Sequence, residues 1–209
     1  MYCQRRDNSY SRKLLICLLI IPALTLTLSS CTSRLSKVGQ SPANIDLNGV
    51  WTFISEDQST YDQFKRRVQN ATAMATVQLI KKGDSNMIRE QAQPNRMLLD
   101  MLIGLLSLPR EEIFFNQTDR TIEVDYGVAG YHSFPIAVPT KMVMAGAELD
   151  AVAGWENDEL LIHILVTDQF QIYQRFRLMD SKNLLETMEI KLSSNQRLRH
   201  QRWYRVKTK

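Results

Sequence analysis

The chain has 209 residues, 44% of them hydrophobic and 8% aromatic, with a formal net charge of +4 and three cysteines. Most of that charge sits in residues 1–30, where Arg5, Arg6, Arg12 and Lys13 outweigh Asp7 and leave about +1 for the rest. A remainder so near neutrality lacks the strongly basic balance of a nucleic-acid binder, and its folded part of roughly 160 residues is long enough for one adequate core.

Residues 1–30 fall into three parts: the basic stretch, an apolar stretch from Leu14 to Leu28 and a small-residue end, Ser29-Ser30. That is the layout of an export signal. The apolar stretch carries Pro22 and is shorter than the roughly twenty residues that cross a ~30 Å hydrocarbon core, so a permanent transmembrane helix is disfavoured. Leu28-Ser29-Ser30-Cys31 resembles the lipobox of bacterial lipoproteins. The resemblance implies cleavage before Cys31, a diacylglyceryl group on its thiol and a further acyl chain on the freed amine. Each buried CH₂ contributes about 0.8 kcal/mol, and two signals suffice for stable anchoring. Thr32 is similar to a sorting position that sends such proteins to the outer membrane, facing the periplasm. Cys3 and Cys17 leave with the signal and Cys31 is blocked by lipid, so the mature domain is expected to fold without a disulfide.

Residues 31–46 read as the lipidated cysteine and a flexible tether, being polar, carrying Ser41-Pro42 and showing no apolar period. At ~3.3–3.6 Å per residue such a tether reaches up to ~50 Å. The domain, residues 47–209, opens with a strand in which Trp51 and Phe53 alternate with Val50, Thr52 and Ile54. A helix follows: Ser59 with Asp62 suggests a capping box, and Tyr61, Phe64, Val68, Ala71 and Ala75 recur at helical spacing. Its end is open, since residues 75–80 fit either helix or strand. A second helix, with Pro94 at its start and Pro109 at its end, is apolar nearly all round from Met97 to Leu108, which requires cover on most sides. Strands are then expected at 113–115 and 121–126. A looser stretch around Gly127, Gly130, Pro135 and Pro139 precedes five strands near 147–154, 159–166, 170–178, 184–192 and 198–207. Short alternating strands at such steps mean an antiparallel barrel or sandwich.

Gly49-x-Trp51 on an opening strand, successive hairpins and a basic last strand together resemble the lipocalin-like (calycin) barrels. The resemblance implies a mainly β, antiparallel up-and-down barrel with a two-helix insertion after the first strand. It also implies that Trp51 plugs the closed end, with Arg199 or Arg202 lying across its ring as a cation over a π face. The turn from Trp155 to Leu160 is similar to that of uncharacterised bacterial envelope proteins with a lipocalin-like core, which brings no activity with it.

No catalytic constellation is found: there is no G-x-S-x-G, H-E-x-x-H or C-x-x-C, and His132, His163 and His200 stand singly. No metal site or cofactor is implied. Binding is the stronger expectation, because an eight-stranded barrel is just wide enough for side chains or one small ligand. Candidate lining residues are Met97, Leu98, Met101, Leu102 and Leu105, facing Trp155 or Phe170. The alternatives are a dry core helix, or a helix that contacts membrane or an envelope protein partner. Arg197, Arg199, Arg202, Arg205, Lys207 and Lys209 follow the last acidic residue, Glu189. They read first as a solvated strand face, with anionic lipid as the other candidate; an exported, tethered domain rarely meets nucleic acid.

Overall fold

Alternation with period two dictates most of the architecture. In the last strand, Arg197–Val206, Leu198, His200, Arg202 and Tyr204 are buried and every residue between them is exposed, as a strand with one face inward demands. The computed structural model describes residues 35–82, 97, 100–102, 104–105, 110–167, 170–192 and 196–208, with only the backbone of 71–82. Residues 1–34, Cys31 and Thr32 among them, and also Leu98 and Lys209 lie outside these.

Ten strands form one antiparallel sheet: β1 (Gly49–Glu56), β2 (Glu112–Gln117), β3 (Thr121–Asp125), β4 (Tyr131–Pro135), β5 (Thr140–Met144), β6 (Ala147–Glu156), β7 (Glu159–Thr167), β8 (Phe170–Leu178), β9 (Asn183–Leu192) and β10 (Arg197–Val206). Their order is β4-β3-β2-β1-β10-β9-β8-β7-β6-β5, an up-and-down meander in which β1 joins the last strand. The sheet curls into a nearly closed barrel. Beyond β4, Ile136 bridges Ala153 of β6, and the Ala137 N–H donates to the Ala153 carbonyl at 2.7 Å. β5 pairs only with the first half of β6, residues 147–151, which leaves the β6 edge free for this closure.

β6 to β10 run within one or two residues of the positions expected from sequence, and β2 and β3 also appear. β4 and β5 were not expected. Each has five residues, and the turn between β5 and β6 is built on Ala145 and Gly146, both at positive φ (54° and 77°). That is a tight hairpin geometry usually signalled by Asn-Gly.

The helix after β1, α1 (Gln58–Lys82), is 25 residues long, so residues 75–80 are helical rather than a strand. Asp57 starts it, not a Ser59–Asp62 box: its carboxyl accepts the Ser59 and Thr60 backbone N–H groups at 3.0 and 3.3 Å, as well as both hydroxyls. The Thr60 hydroxyl first, then that of Ser59, hold the Asp57 carboxyl down at about 2. α1 turns Phe64 and Val68 inward. Residues 97–105, where described, are helical. Leu102 is buried in the core and Leu105 packs on it, but Met97 and Met101 are 69% and 44% exposed. Among the described residues of this segment, Leu102 and Leu105 are therefore covered while Met97, Asp100 and Met101 are exposed. Among the described residues no helix is long and apolar enough to cross a membrane.

Residues 35–46 do not form a free tether. Gly39 exchanges two backbone hydrogen bonds with Trp155 (2.8 and 3.0 Å) on the remaining β6 edge. The Ser36 N–H donates to Nδ1 of His163 at 2.8 Å, and Gln117 donates to Ser41 Oγ and the Ile45 carbonyl. Gly154 has no side chain because Val38 occupies the place: a Cβ there would lie 2.6 Å from Val38 Cγ2.

Covered by this strap and stacked on Tyr173 at 4.2 Å, His163 is kept neutral. Burial pushes its pKa down to about 4, below the ordinary ~6.5. As pH falls, the unfolded chain takes up this proton first, so stability is lost between about 6.5 and about 4. His163→Asn keeps an acceptor for Ser36 and removes the titration. Its urea midpoint is expected to depend less on pH across that window than the parent's, as unfolding curves at stepped pH will show.

Candidate ligand-binding interior

Inward positions on a barrel strand are expected to be apolar, and most are: Leu160, Ile162 and Ile164 on β7, Ile172 and Phe176 on β8, Leu184, Met188 and Ile190 on β9. Among the described residues of β8–β10, His200 and three further inward positions are not. Gln174 sits between Ile172 and Phe176, Glu186 between Leu184 and Met188, and Arg202 between His200 and Tyr204, each at 0–1% exposure. Burying such groups is costly unless they satisfy one another.

They do so as one chain. Tyr126 donates its hydroxyl to Gln174 Oε1 at 2.8 Å, and Gln174 Nε2 donates to Glu186 at 3.2 Å. The other Glu186 oxygen accepts the Tyr204 hydroxyl at 2.9 Å. Two guanidinium groups flank this carboxylate, Arg110 at 3.7 Å and Arg202 at 3.6 Å. Arg110, just ahead of β2, also lies 4.5 Å from the centroid of the Tyr126 ring. Burial pushes both tyrosine hydroxyls far up, and so keeps them protonated as donors. Burial works against the Arg202 charge, but the carboxylates of Glu186 and Glu56 more than restore it.

Glu56 reaches the interior through an irregularity. Odd-numbered residues of β1 face inward at Trp51 and Phe53, and Phe53 lies opposite Tyr204. A bulge between Phe53 and Ser55 then shifts the register, so that Glu56, not Ser55, falls opposite Arg202. An extra residue in one strand re-aims the side chains beyond it. Glu56 Oε2 accepts from Arg202 Nε at 3.0 Å and from His200 Nε2 at 2.9 Å. The His200 ring packs beside Tyr61 and Phe64 of α1, with centroids 5.2 and 5.7 Å away, and burial lowers its pKa despite the Glu56 bond. β1 ends at Glu56, so β10 runs on without a strand partner on that side. There Asp57, Thr60, Arg199, His200 and Gln201 frame a cleft of about 320 Å³.

The expected site residues separate. Leu102 and Trp155 belong to the barrel core, and Leu105 and Phe170 pack against it; Met97 and Met101 point away, and Leu98 lies outside the described residues. Trp51 is buried and its Nε1 donates to the Leu47 carbonyl at 2.9 Å, but neither expected cation lies in register with it. Trp51 is opposite Val206, four residues along β10 from Arg202. Arg199 points outward to Glu189 at 2.8 Å, itself 61% exposed. Among the described residues the cation over a ring is Arg110 over Tyr126. His132 rests against Tyr126 and Phe134, with Nε2 3.2 Å from the Ala129 carbonyl. No group of three or more His, Cys, Asp or Glu suited to a metal occurs among the described residues. Sequence reasoning missed Glu56, Arg110, Tyr126, Gln174, Glu186 and Tyr204. For Gln174, Glu186 and Tyr204 the signal was a polar residue at an inward register; Arg110 and Tyr126 lie outside the strands, and Glu56 comes inward only through the bulge.

No protein-family model matches the chain, and no curated protein matches it. Solved structures with a similar course include fatty-acid-binding protein 1 of Echinococcus granulosus, with a TM-score of 0.45 and 10% identity over 78% of this chain and 98% of that one. Lipid binding protein 8 of Caenorhabditis elegans gives 0.45 and 12% over 79% and 100%. Zebrafish ileal bile acid-binding protein, complexed with cholic acid, gives 0.43 and 14% over 77% and 98%. At these scores the likeness says nothing of what the present barrel holds.

Removing one partner from a buried ion network strands the others, at a cost of about 3–5 kcal/mol, whereas pairs with solvated partners contribute ~0–1 kcal/mol. Glu186→Leu is therefore expected to destabilise by the larger amount. Glu189→Gln, whose partners Arg197 and Arg199 are 57% and 61% exposed, should cost under about 1 kcal/mol. Chemical denaturation of the two variants side by side checks the contrast.

Proposed function

We propose that this chain is a lipid-anchored envelope protein, held through acyl chains on Cys31 at the outer membrane and facing the periplasm. Its barrel binds an apolar small molecule or lipid that carries a polar end, and performs no catalysis. The observation that supports the binding reading is the composition of the interior: an apolar wall into which a few polar groups converge, Tyr126, Gln174, Glu186, Arg202 and Tyr204, as small-molecule sites have. Because Arg110 and Arg202 are already balanced by Glu186 and Glu56, the polar end need only exchange hydrogen bonds, without bringing a charge. Leu102 is supplied to this core by the helical segment and not by the sheet. An apolar guest therefore competes with that segment for space.

A second reading has its own observation. Met97 and Met101, one helical turn apart, face outward, and methionine suits variable apolar partners. On this reading the segment is a contact for an envelope protein and the barrel stays empty.

Native mass spectrometry of protein purified from its host separates the two. A co-purifying small apolar mass is expected; a consistently empty barrel with a protein cross-linked at residues 97–101 overturns ligand binding. Leu102→Ala is expected to lose about 2–5 kcal/mol of stability and to bind an apolar dye more tightly, and tighter binding that fails to appear removes the competition. For the anchor, Cys31→Ala is expected to lose labelling by a fatty-acid analogue, and unchanged labelling rejects it.

A further inference from the structure

The strap formed by residues 35–46 changes where the barrel sits relative to its anchor. A free tether would allow ~50 Å of separation. With Ser36 bonded to His163 and Gly39 paired with Trp155, the slack between Cys31 and Leu35 is four residues, at most about 14 Å. If Cys31 is anchored, the domain would thereby be leashed close to that surface, with the strap meeting the outer face of β7 at His163.

That neighbourhood is basic. Cross-strand register sets His163 beside Tyr173, then Glu189, then Arg199, and the adjoining row runs Leu165, Gln171, Lys191, Arg197. Lys191 and Arg175 lie close enough to His163 to oppose its protonation. Across the outer face of β8 to β10 stand Arg175, Arg177, Lys191, Arg197, Arg199 and Arg205. Glu189 is shared by Arg197 and Arg199, and Glu159 by Arg175 and Arg177, with Glu156 also on Arg175. Six basic groups thus meet three carboxylates, and neither Lys191 nor Arg205 has an ion-pair partner among the described residues. On the same face Trp203 is 37% exposed, while Trp51 and Trp155 are 2% and 4% exposed; a half-exposed indole suits the headgroup region of a bilayer.

We infer that the outer face of β8–β10, beside the docked strap, lies against an anionic phospholipid surface. This rests on the anchoring at Cys31. The charge supplies attraction to anionic headgroups within about one Debye length, ~8 Å at physiological salt. The leash keeps the face in reach, and Trp203 enters the interface.

The test uses the full-length, host-processed protein reconstituted with vesicles of phosphatidylcholine alone or mixed with phosphatidylglycerol. Flotation reports anchoring, and acrylamide quenching of tryptophan reports docking, because Trp203 is the exposed indole. The expectation is flotation with both vesicles, but a blue shift and an approximately twofold drop in quenching only with phosphatidylglycerol. Lys191→Glu combined with Arg205→Glu should reverse that drop, and so should high salt on the unmutated protein. Flotation with both vesicles and identical quenching overturns the docked face and leaves the anchor standing. Flotation with phosphatidylglycerol alone, abolished by the charge reversals, supports the face and rejects the anchor. No flotation with either rejects both.

Discussion

The ion pair between Glu56 and Arg202 at 3.0 Å ties together the features that make this barrel more than a sheet wrapped around apolar side chains. It exists because β1 carries a bulge. With regular pairing, Ser55 would face inward and Glu56 would face solvent; the single extra residue places the carboxyl opposite the inward guanidinium. From there the polar chain extends through Glu186 to Gln174 and Tyr126, linking residues from β1, β8, β9, β10 and the β3–β4 connection. Such a network is costly if any member is missing and rigid when all are present. It fixes strand register at the seam where the first strand meets the last, which is where a meander barrel has the longest loop to close.

The opposite seam is closed by backbone alone. The β6 edge is shared along its length by three segments: β5 up to Ala151, the Ile136–Ala137 segment at Ala153 and Gly39 at Trp155. An exposed edge invites pairing with other chains, and here short pieces use it up. The strap thus does two things. It completes the sheet edge, and it converts what composition describes as a tether into part of the domain.

Much of the fold was legible in the residues. The alternation in Leu160, Ile162 and Ile164, or in Phe170, Ile172 and Phe176, has one solution once turns fall every ten residues or so. β4 and β5 were hidden because each is short and because Ala145, an ordinary residue by composition, adopts a positive φ (54°). Polarity alone could not reveal that residues 35–46 dock: Gly39 and Ser36 act through their backbone groups, which every sequence possesses. The buried polar chain was hidden for the converse reason. An apolar helix suggested a wall of Met97, Leu98, Met101, Leu102 and Leu105, yet the inward register holds Gln174, Glu186 and Arg202, and of the helix Leu102 enters the core while Met97 and Met101 face out. Reading polar residues at inward positions as evidence of a network would have located it, except for Glu56, whose placement depends on a bulge that no composition rule announces.

Whether the seam between β1 and β10 depends on this re-aimed carboxyl is a question of coupling. A double-mutant cycle with Glu56→Gln, Arg202→Met and the pair, read by equilibrium denaturation, measures it. The structure requires a coupling of about 2 kcal/mol or more, because each single change strands the other group in the core. Additivity within about 0.5 kcal/mol would mean that the two side chains act independently, and the bulge would then have no organising role at this seam.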